Sequence, residues 1–217
     1  MHSRLHIPDA EEAQMTPEEI FSLVRHDLSL VEEEFDRKAN DASPLVASIA
    51  RYLHDGGGKR VRPALLLLAS RLVCGEAPPS AIRLAAVMEM LHTATLVHDD
   101  IIDEASVRRG RASANVQWGN NKTVLIGDWL YMTAFDMSLR ERNFDILDAL
   151  TGMTRLMVEG EIIQLAEIGN SNITEAEHLD IVRRKTAYMF STCAEVGAIA
   201  AGATREERDA LANYGTS

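Results

Sequence analysis

Acidic and basic side chains are concentrated in one short stretch of the sequence, HDDIIDEASVRRGR at residues 98–111. Asp99 and Asp103 are four residues apart, so on a helix they project from one face, about 40° apart. Asp100 lies at the edge of that face. Like charges at this spacing repel, and Mg²⁺ would relieve the repulsion, since it binds one or two carboxylates together with waters and substrate phosphates. The stretch therefore predicts a magnesium site, and a solvated acidic helix end is the alternative.

Two basic groups accompany the carboxylates. Arg108 and Arg109 follow them directly, and arginine is suited to bidentate binding of phosphate oxygens. Lys59 and Arg62 are three residues apart in GGGKRVRP, where glycines allow close approach of a ligand and a helix start favours anions. Taken alone, that segment is typical of a helix-breaking loop with solvated charges. Together, the groups predict a site that holds two polyanions, one through a metal and one through cationic side chains.

Helices must position these groups, because no segment shows the two-residue alternation of a half-buried strand. The Thr16-Pro17-Glu18-Glu19 and Thr174–Glu177 segments have the pattern of capping boxes at helix starts. Aromatic residues make up only 5% of the chain, which favours helix packing over a β-sandwich. We expect one all-α domain without an internal linker. The expected helices cover about 17–38, 43–53, 63–72, a segment from Pro78-Pro79 into the acidic stretch, and 175–195.

Composition excludes several classes of function. The 33 acidic and 22 basic residues give a net charge of −11, which argues against binding to nucleic acids or to anionic membranes through overall charge. The longest unbroken apolar run, 64–69, is far too short to span a membrane, and the N-terminal residues lack the apolar segment of a signal peptide. We expect a cytoplasmic protein with a flexible N-terminus over 1–15 and with Cys74 and Cys193 as buried thiols.

Five motifs in the sequence occur in the order and spacing of a known family. The chain resembles the trans-type isoprenyl diphosphate synthases, or polyprenyl synthetases, from about Thr16 onward. The resemblance implies an all-α isoprenoid-synthase helical bundle around a central cavity, with one partial domain over 1–217 whose C-terminal helices are missing. The matching motifs are GGKRVRP at 57–63, LHTATLVHDDIIDEASVRRG at 91–110, GDWLY at 127–131, EGEIIQL at 159–165 and RKTA at 184–187.

The resemblance also implies an activity and its ligands. Such enzymes condense isopentenyl diphosphate head-to-tail with an allylic diphosphate, using two to three Mg²⁺ ions per intact site. Departure of the allylic diphosphate creates a carbocation, and nearby positive charge lowers that barrier. The isopentenyl double bond then attacks the cation. The partners implied are these two substrates and a second copy of the chain in a homodimer.

Site residues carry over by position. Asp99 and Asp103 would coordinate the Mg²⁺ that bridges the allylic diphosphate, with Asp100 supporting. The side chains implied for isopentenyl diphosphate are Lys59, Arg62, His92 and Arg109. Those implied for the allylic diphosphate and its leaving group are Arg108, Lys185 and Thr186, with Gln164 lining the cavity near the metals.

Product length should depend on the depth of an apolar tunnel below Asp99. Ala94 and Thr95, five and four residues earlier, are small, so we expect an open tunnel and a long, octaprenyl-like product. The candidates for its floor are Trp129, Met132 and Phe135 on the following helix, although bulky residues at helical spacing also occur in ordinary cores.

The match is incomplete at the C-terminal end. The family carries a second aspartate-rich motif, and no such cluster follows Asp103 in this sequence. We therefore expect the 217-residue chain alone to be inactive or impaired. A non-catalytic subunit of a prenyl synthase is one alternative, although such subunits usually lack the aspartates. A terpene cyclase or head-to-head condensing synthase of the same fold is a second alternative, although such enzymes lack the GGKR pocket. A helical scaffold without ligands is the third.

Overall fold

The computed structural model describes residues 15–216, and over that range the chain is all-α apart from one short hairpin. This confirms the fold class. Residues 1–14, most of the segment expected to be flexible, lie outside the described residues, as does Ser217. The elements in chain order are α1 (Pro17–Ser22), α2 (Arg25–Asn40), α3 (Pro44–His54), α4 (Val61–Cys74), α5 (Pro79–Ile102), β1 (Val107–Arg108), β2 (Arg111–Ala112), α6 (Ala114–Trp118), α7 (Asn120–Leu139), α8 (Phe144–Ala166), α9 (Glu175–Val182), a π-helical segment (Arg183–Ala187), α10 (Tyr188–Ala200) and α11 (Arg205–Thr216).

Both predicted capping boxes are present. The backbone N–H of Glu19 donates to Thr16 Oγ1, and the Glu19 carboxylate accepts from the backbone N–H of Thr16. The single helix expected over 17–38 is divided, however, because Val24 leaves the helical conformation with φ −119° and ψ 13°. None of the described residues of α1 is buried, so packing against the core does not keep α1 collinear with α2.

The helix predicted from Thr174 is continuous but not regular. It runs through α9, the π segment and α10 to Ala200, five residues beyond the predicted end. The capping box and the apolar spacing predicted where this helix begins and which of its faces is buried. Neither pattern indicates the wider i→i+5 turn of a π-helix.

The core is centred on α5, which packs against α2, α4, α7 and α10. Fourteen of the 24 residues of α5 are buried, including Leu84, Met88 and Leu91. Within the described range, α5 is the one helix long and apolar enough to cross a membrane by length and composition. A core helix meets the same criteria, and 67% of its most apolar window is buried inside the bundle, so this is weak evidence for a span.

The prediction for the cysteines is half correct. Cys193 is fully buried in α10, whereas Cys74 is exposed at the end of α4. Its Sγ donates to the backbone oxygen of Glu76 at 3.0 Å, beyond the turn at Gly75. Residue type alone overestimated burial, because the last turn of α4 lies at the surface.

The packing of α4 gives a direct test of the core. Leu67 is fully buried, whereas Leu72 on the same helix is 75% exposed. We expect Leu67→Ala to lower the free energy of unfolding by about 2–5 kcal/mol, because it leaves a cavity. Leu72→Ala should change it by less than about 0.5 kcal/mol. Urea unfolding followed by circular dichroism measures both, and equal losses would contradict this core.

Candidate active site

The C-terminal end of α5 opens into a cavity of about 380 Å³, here called the aspartate cavity. Asp99 lines it, and Thr95 lines it one turn earlier on α5. Helix α5 ends at Ile102, so Asp103 serves as its C-cap and is exposed to solvent. The side chains from facing helices that line the apolar part include Tyr131 of α7 and Met157 of α8.

The wall opposite Asp99 is built by α8 and the π segment. Lys185 Nζ lies 2.5 Å from Glu161 Oε2 and donates a hydrogen bond of 2.9 Å to Gln164 Oε1. Thr186 lines the same cavity. The structure thus brings Lys185 and Thr186 to the aspartate cavity. Gln164, which was expected to line it, does not, and is connected to the cavity through its hydrogen bond with Lys185. Sequence reasoning missed Glu161, although its place three residues before Gln164 puts both on one helix face.

The aspartate cavity concentrates negative charge where water is partly excluded. Burial raises the pKa of Asp99 to about 6, and the charges of Glu161 and Asp103 add to the rise. Lys185 and Arg108 oppose it. Burial and the charge of Asp99 likewise raise the pKa of Tyr131 to about 12. A bound cation would relieve this repulsion, so the environment favours one beside Asp99.

A second opening, here called the basic cleft, is lined by the loop at 56–60 and the start of α4. It brings together the four side chains that the sequence assigned to one anion, Lys59, Arg62, His92 and Arg109. Arg62 Nη1 lies 3.2 Å from His92 Nε2. Burial and the charges of Arg62 and Arg109 lower the pKa of His92 to about 3, so its ring is neutral at pH 7 and accepts from Arg62. Arg62 and His92 also line the aspartate cavity, so the two openings share a wall.

Arg60, to which sequence analysis assigned no separate role, holds the basic cleft in place. Its backbone is left-handed, with φ 49°. Its guanidinium donates to Glu32 of α2 at 2.6 Å, to Glu89 of α5 at 2.7 Å and to the backbone oxygen of His54 at 3.1 Å. Although burial opposes it, hydrogen bonds from His54 and Arg60 lower the pKa of Glu32 to about 2. The partly buried guanidinium of Arg60 therefore ties α2, α3 and α5 to the segment that carries Lys59 and Arg62.

The β1–β2 hairpin separates two neighbouring arginines. Arg109 and Gly110 both have positive φ, 51° and 77°, as a tight two-residue hairpin turn requires. Arg108 Nε donates to Asp100 Oδ1 at 2.5 Å, whereas Arg109 lines the basic cleft. Tyr52 of α3 anchors the hairpin by donating its hydroxyl to the backbone oxygen of Ala112 at 2.8 Å.

Comparison with known proteins agrees with this arrangement. The Polyprenyl synthetase family model matches residues 43–217. This chain belongs to the polyprenyl synthetase family. The octaprenyl diphosphate synthase of Escherichia coli K12 is 36% identical over 201 residues, which are 93% of this chain and 62% of that protein. The all-trans-nonaprenyl-diphosphate synthase (geranyl-diphosphate specific) of Rhodobacter capsulatus is 39% identical over 186 residues, 85% of this chain and 57% of that protein.

Solved structures of the family have the same fold. A decaprenyl diphosphate synthase from Rhodobacter capsulatus superposes with a TM-score of 0.87 at 37% identity, covering 92% of this chain and 61% of that one. A polyprenyl synthase from Caulobacter crescentus, complexed with calcium and isoprenyl diphosphate, also gives 0.87, at 34% identity with coverages of 91% and 60%. The chain thus spans between 57% and 62% of the length of these four proteins.

The carboxylates at the end of α5 suit magnesium only together with ligands from outside this part of the chain. Within residues 15–216, no three His, Cys, Asp or Glu side chains are grouped so that they could hold a metal ion by themselves. Asp99 and Asp103 supply two carboxylates, and Mg²⁺ commonly takes one or two with substrate phosphates. Asp100, which was predicted to support the metal, does not line the aspartate cavity. It is 2% exposed and paired with Arg108, because it points to the other side of α5.

The predicted tunnel residues of the polyprenyl synthetase fold are only partly at the cavity. Thr95 lines it, whereas Ala94 is fully buried in the main core. Trp129 and Met132 line a separate surface hollow, and Met132 is 63% exposed. Phe135 packs against the main core. On α7 it is Tyr131, two residues after Trp129 and about 200° around the helix, that lines the aspartate cavity.

The raised pKa of Asp99 predicts a pH-dependent effect on stability. The folded chain protonates Asp99 near pH 6 and the unfolded chain near its ordinary 3.8, so ionised Asp99 destabilises the fold increasingly between these values. We expect Asp99→Asn to raise the melting temperature by a few degrees at about pH 7.5 and by less at about pH 4. Differential scanning fluorimetry without divalent cations measures this.

The matched control is Asp148→Asn, since Asp148 is an exposed aspartate on α8. The same pH dependence in both variants would contradict the assigned environment of Asp99.

Proposed function

We propose that this chain carries the substrate-binding side of a Mg²⁺-dependent trans-polyprenyl diphosphate synthase. The proposed reaction joins isopentenyl diphosphate head-to-tail to an allylic diphosphate and makes a long all-trans product. The observation that carries the proposal is the wall shared by the aspartate cavity and the basic cleft, formed by Arg62 and His92. The aspartate cavity favours a metal-bound polyanion, and the basic cleft beside it favours a polyanion without a metal. This pair of neighbouring sites suits a reaction between two diphosphates.

The residues take distinct parts in this reaction. Asp99 and Asp103 would hold Mg²⁺, whose charge would neutralise the departing diphosphate. Lys185, oriented by Glu161 and Gln164, donates hydrogen bonds to the same leaving group. As the allylic C–O bond breaks, its positive charge lies inside the fold, where the electrostatic effect of fixed charges is large.

The basic cleft holds the second substrate. Lys59, Arg62 and Arg109 bind the diphosphate of isopentenyl diphosphate, and neutral His92 fixes the orientation of Arg62. The double bond of that substrate then forms the new C–C bond with the allylic carbon. One proton leaves the new intermediate and passes to the released diphosphate. The protein contributes position and charge, and no protein nucleophile takes part.

Arg108 supports the allylic side indirectly. Its bond to buried Asp100 holds the hairpin against the end of α5, and its positive charge opposes the raised pKa of Asp99. We assign Asp100 to this pairing instead of to the metal.

A homodimer through α7 belongs to the same proposal. Leu125, Met132 and Leu139 recur every seven residues on α7 and are 66%, 63% and 51% exposed. An apolar stripe at this spacing suits a second helix packed alongside. A cytoplasmic location and the absence of nucleic-acid partners stay predictions, supported by the net charge of −11.

The alternative is a non-catalytic subunit of a prenyl synthase. A subunit without a catalytic role has no need to keep ionised carboxylates in a half-buried cavity, because they destabilise the fold. The retained Asp99 and its opposed Lys185 therefore favour the catalytic proposal.

Binding of diphosphate tests the proposal on the 217-residue chain. Inorganic diphosphate with Mg²⁺ should raise the melting temperature, by an amount equivalent to about 2.7 kcal/mol at a hundred times Kd. Asp99→Asn and Asp103→Asn should each abolish the Mg²⁺-dependent part. Asp148→Asn should leave it unchanged.

A condensation assay separates catalysis from binding. The chain is incubated with radiolabelled isopentenyl diphosphate and farnesyl diphosphate. Because the second aspartate-rich motif of the family does not follow Asp103 in this sequence, we expect binding of both substrates, Mg²⁺-dependent for farnesyl diphosphate, with weak or no transfer of the label into longer prenyl diphosphates. Binding that needs neither Mg²⁺ nor Asp99 would contradict the proposal and favour the non-catalytic subunit.

Product length should follow the residues that line the aspartate cavity. Tyr131→Ala removes an aromatic ring from the cavity and should favour octaprenyl over geranyl diphosphate severalfold relative to the parent. Thr95→Phe should have the opposite effect. Met132→Ala, one position along α7, is the matched control, because Met132 faces the separate hollow. Competition binding of octaprenyl against geranyl diphosphate measures this preference. An equal shift in Met132→Ala would indicate that the residues first predicted, Trp129, Met132 and Phe135, form the tunnel floor.

A further inference from the structure

A π-helical segment interrupts the helix that delivers Lys185 to the aspartate cavity. The segment Arg183–Ala187 joins α9 to α10 and packs against α8. Its wider turn brings consecutive residues, Lys185 and Thr186, to the same cavity. Single-turn π insertions of this kind are frequent at functional sites, because they change which side chains face a ligand.

The contact between α8 and the π segment depends on a missing side chain. A Cβ on Gly160 would lie 2.8 Å from Arg184 Cβ and 3.2 Å from Lys185 Cγ. Both atoms are at or close to the backbone of the π segment, so that backbone would have to move. Gly160 lies inside the long helix α8, where glycine is unfavourable relative to alanine, and its φ is not in the left-handed region. Close approach is therefore the physical reason for glycine here.

The residues around Gly160 hold the two residues that it approaches. Glu159 accepts a hydrogen bond of 3.0 Å from Arg184. Glu161 and Gln164 bind Lys185 at 2.5 and 2.9 Å. These pairs keep their geometry only while the two backbones stay at their present separation. A methyl group between them would push Lys185 away from its partners on α8.

We infer that Gly160 is a positioning residue for the leaving diphosphate. By letting the π segment lie directly against α8, it sets Lys185 between Glu161 and Gln164, on the side of the aspartate cavity that faces Asp99. This inference rests on the proposed function, because it assigns Lys185 to a diphosphate. It goes further by naming a residue that touches no ligand and yet controls the affinity for one of the two substrates.

The test compares Gly160→Ala with Gly152→Ala in the 217-residue chain. Gly152 lies on the same helix, and a Cβ there would meet nothing within 4 Å. Calorimetry measures the Kd for inorganic diphosphate with Mg²⁺ and the Kd for isopentenyl diphosphate without metal. Gly160→Ala should weaken the first about tenfold or more, as expected for loss of one charged hydrogen bond, and change the second less than about twofold. Gly152→Ala should change neither, and Lys59→Ala should show the reverse selectivity.

A compensating variant separates crowding from other effects. Arg184→Gly removes the Cβ that the new methyl group of Gly160→Ala would meet. Adding Gly160→Ala to Arg184→Gly should therefore weaken diphosphate binding much less than Gly160→Ala weakens it in the parent chain. The double variant also carries the measurement if Gly160→Ala does not fold. Equal loss of both ligands, or no difference between the two alanine variants, would overturn the inference and leave the proposed function standing.

Absence of Mg²⁺-dependent diphosphate binding in the parent chain would overturn the proposed function instead. In that case a crystal structure of Gly160→Ala decides the inference. Lys185 displaced from Glu161 and Gln164 supports it, and Lys185 still bonded to both overturns it.

Discussion

Half-buried negative charge at the end of α5 is the constraint on which the rest of the structure depends. Asp99 faces Glu161 across the aspartate cavity, and burial makes their repulsion stronger than it would be in water. Lys185 offsets part of it from the π segment. The large apolar core around α5 offsets the remaining destabilisation. The helix that carries Asp99 is itself buried along most of its length and forms the centre of that core. The apolar core therefore keeps the chain folded despite the repulsion between the carboxylates of the aspartate cavity.

Much of this arrangement could be predicted from the sequence, because it depends on local patterns. The capping boxes at Thr16 and Thr174 gave the correct helix starts, since their hydrogen bonds form within four residues. The spacing of Lys59 and Arg62 gave a cleft of the right charge. The resemblance to the polyprenyl synthetases added His92 and Lys185, and the structure places each beside the opening that was expected for it.

The rest could not be predicted, because it depends on which groups meet in space. Nothing near Asp100 in the sequence indicates that it turns inward to Arg108. The apolar spacing on α7 does not separate exposed from buried positions, since Met132 is 63% exposed whereas Trp129, three residues earlier, packs against the core. The π segment leaves no pattern of its own, and its signal is a glycine on another helix, Gly160, whose meaning is visible only once the two helices are seen together.

The arginine that joins α2, α3 and α5 has an evolutionary consequence. Arg60, Glu32 and Glu89 come from three distant parts of the chain, and Glu89 is 5% exposed. Losing Arg60 would leave the carboxylate of Glu89 buried without its counter-ion, which typically costs about 3–5 kcal/mol, a large fraction of the stability of an ordinary domain. A change at Arg60 is therefore compatible with the fold only if the charge of Glu89 is removed as well. Among descendants of this gene we expect these two positions to change together.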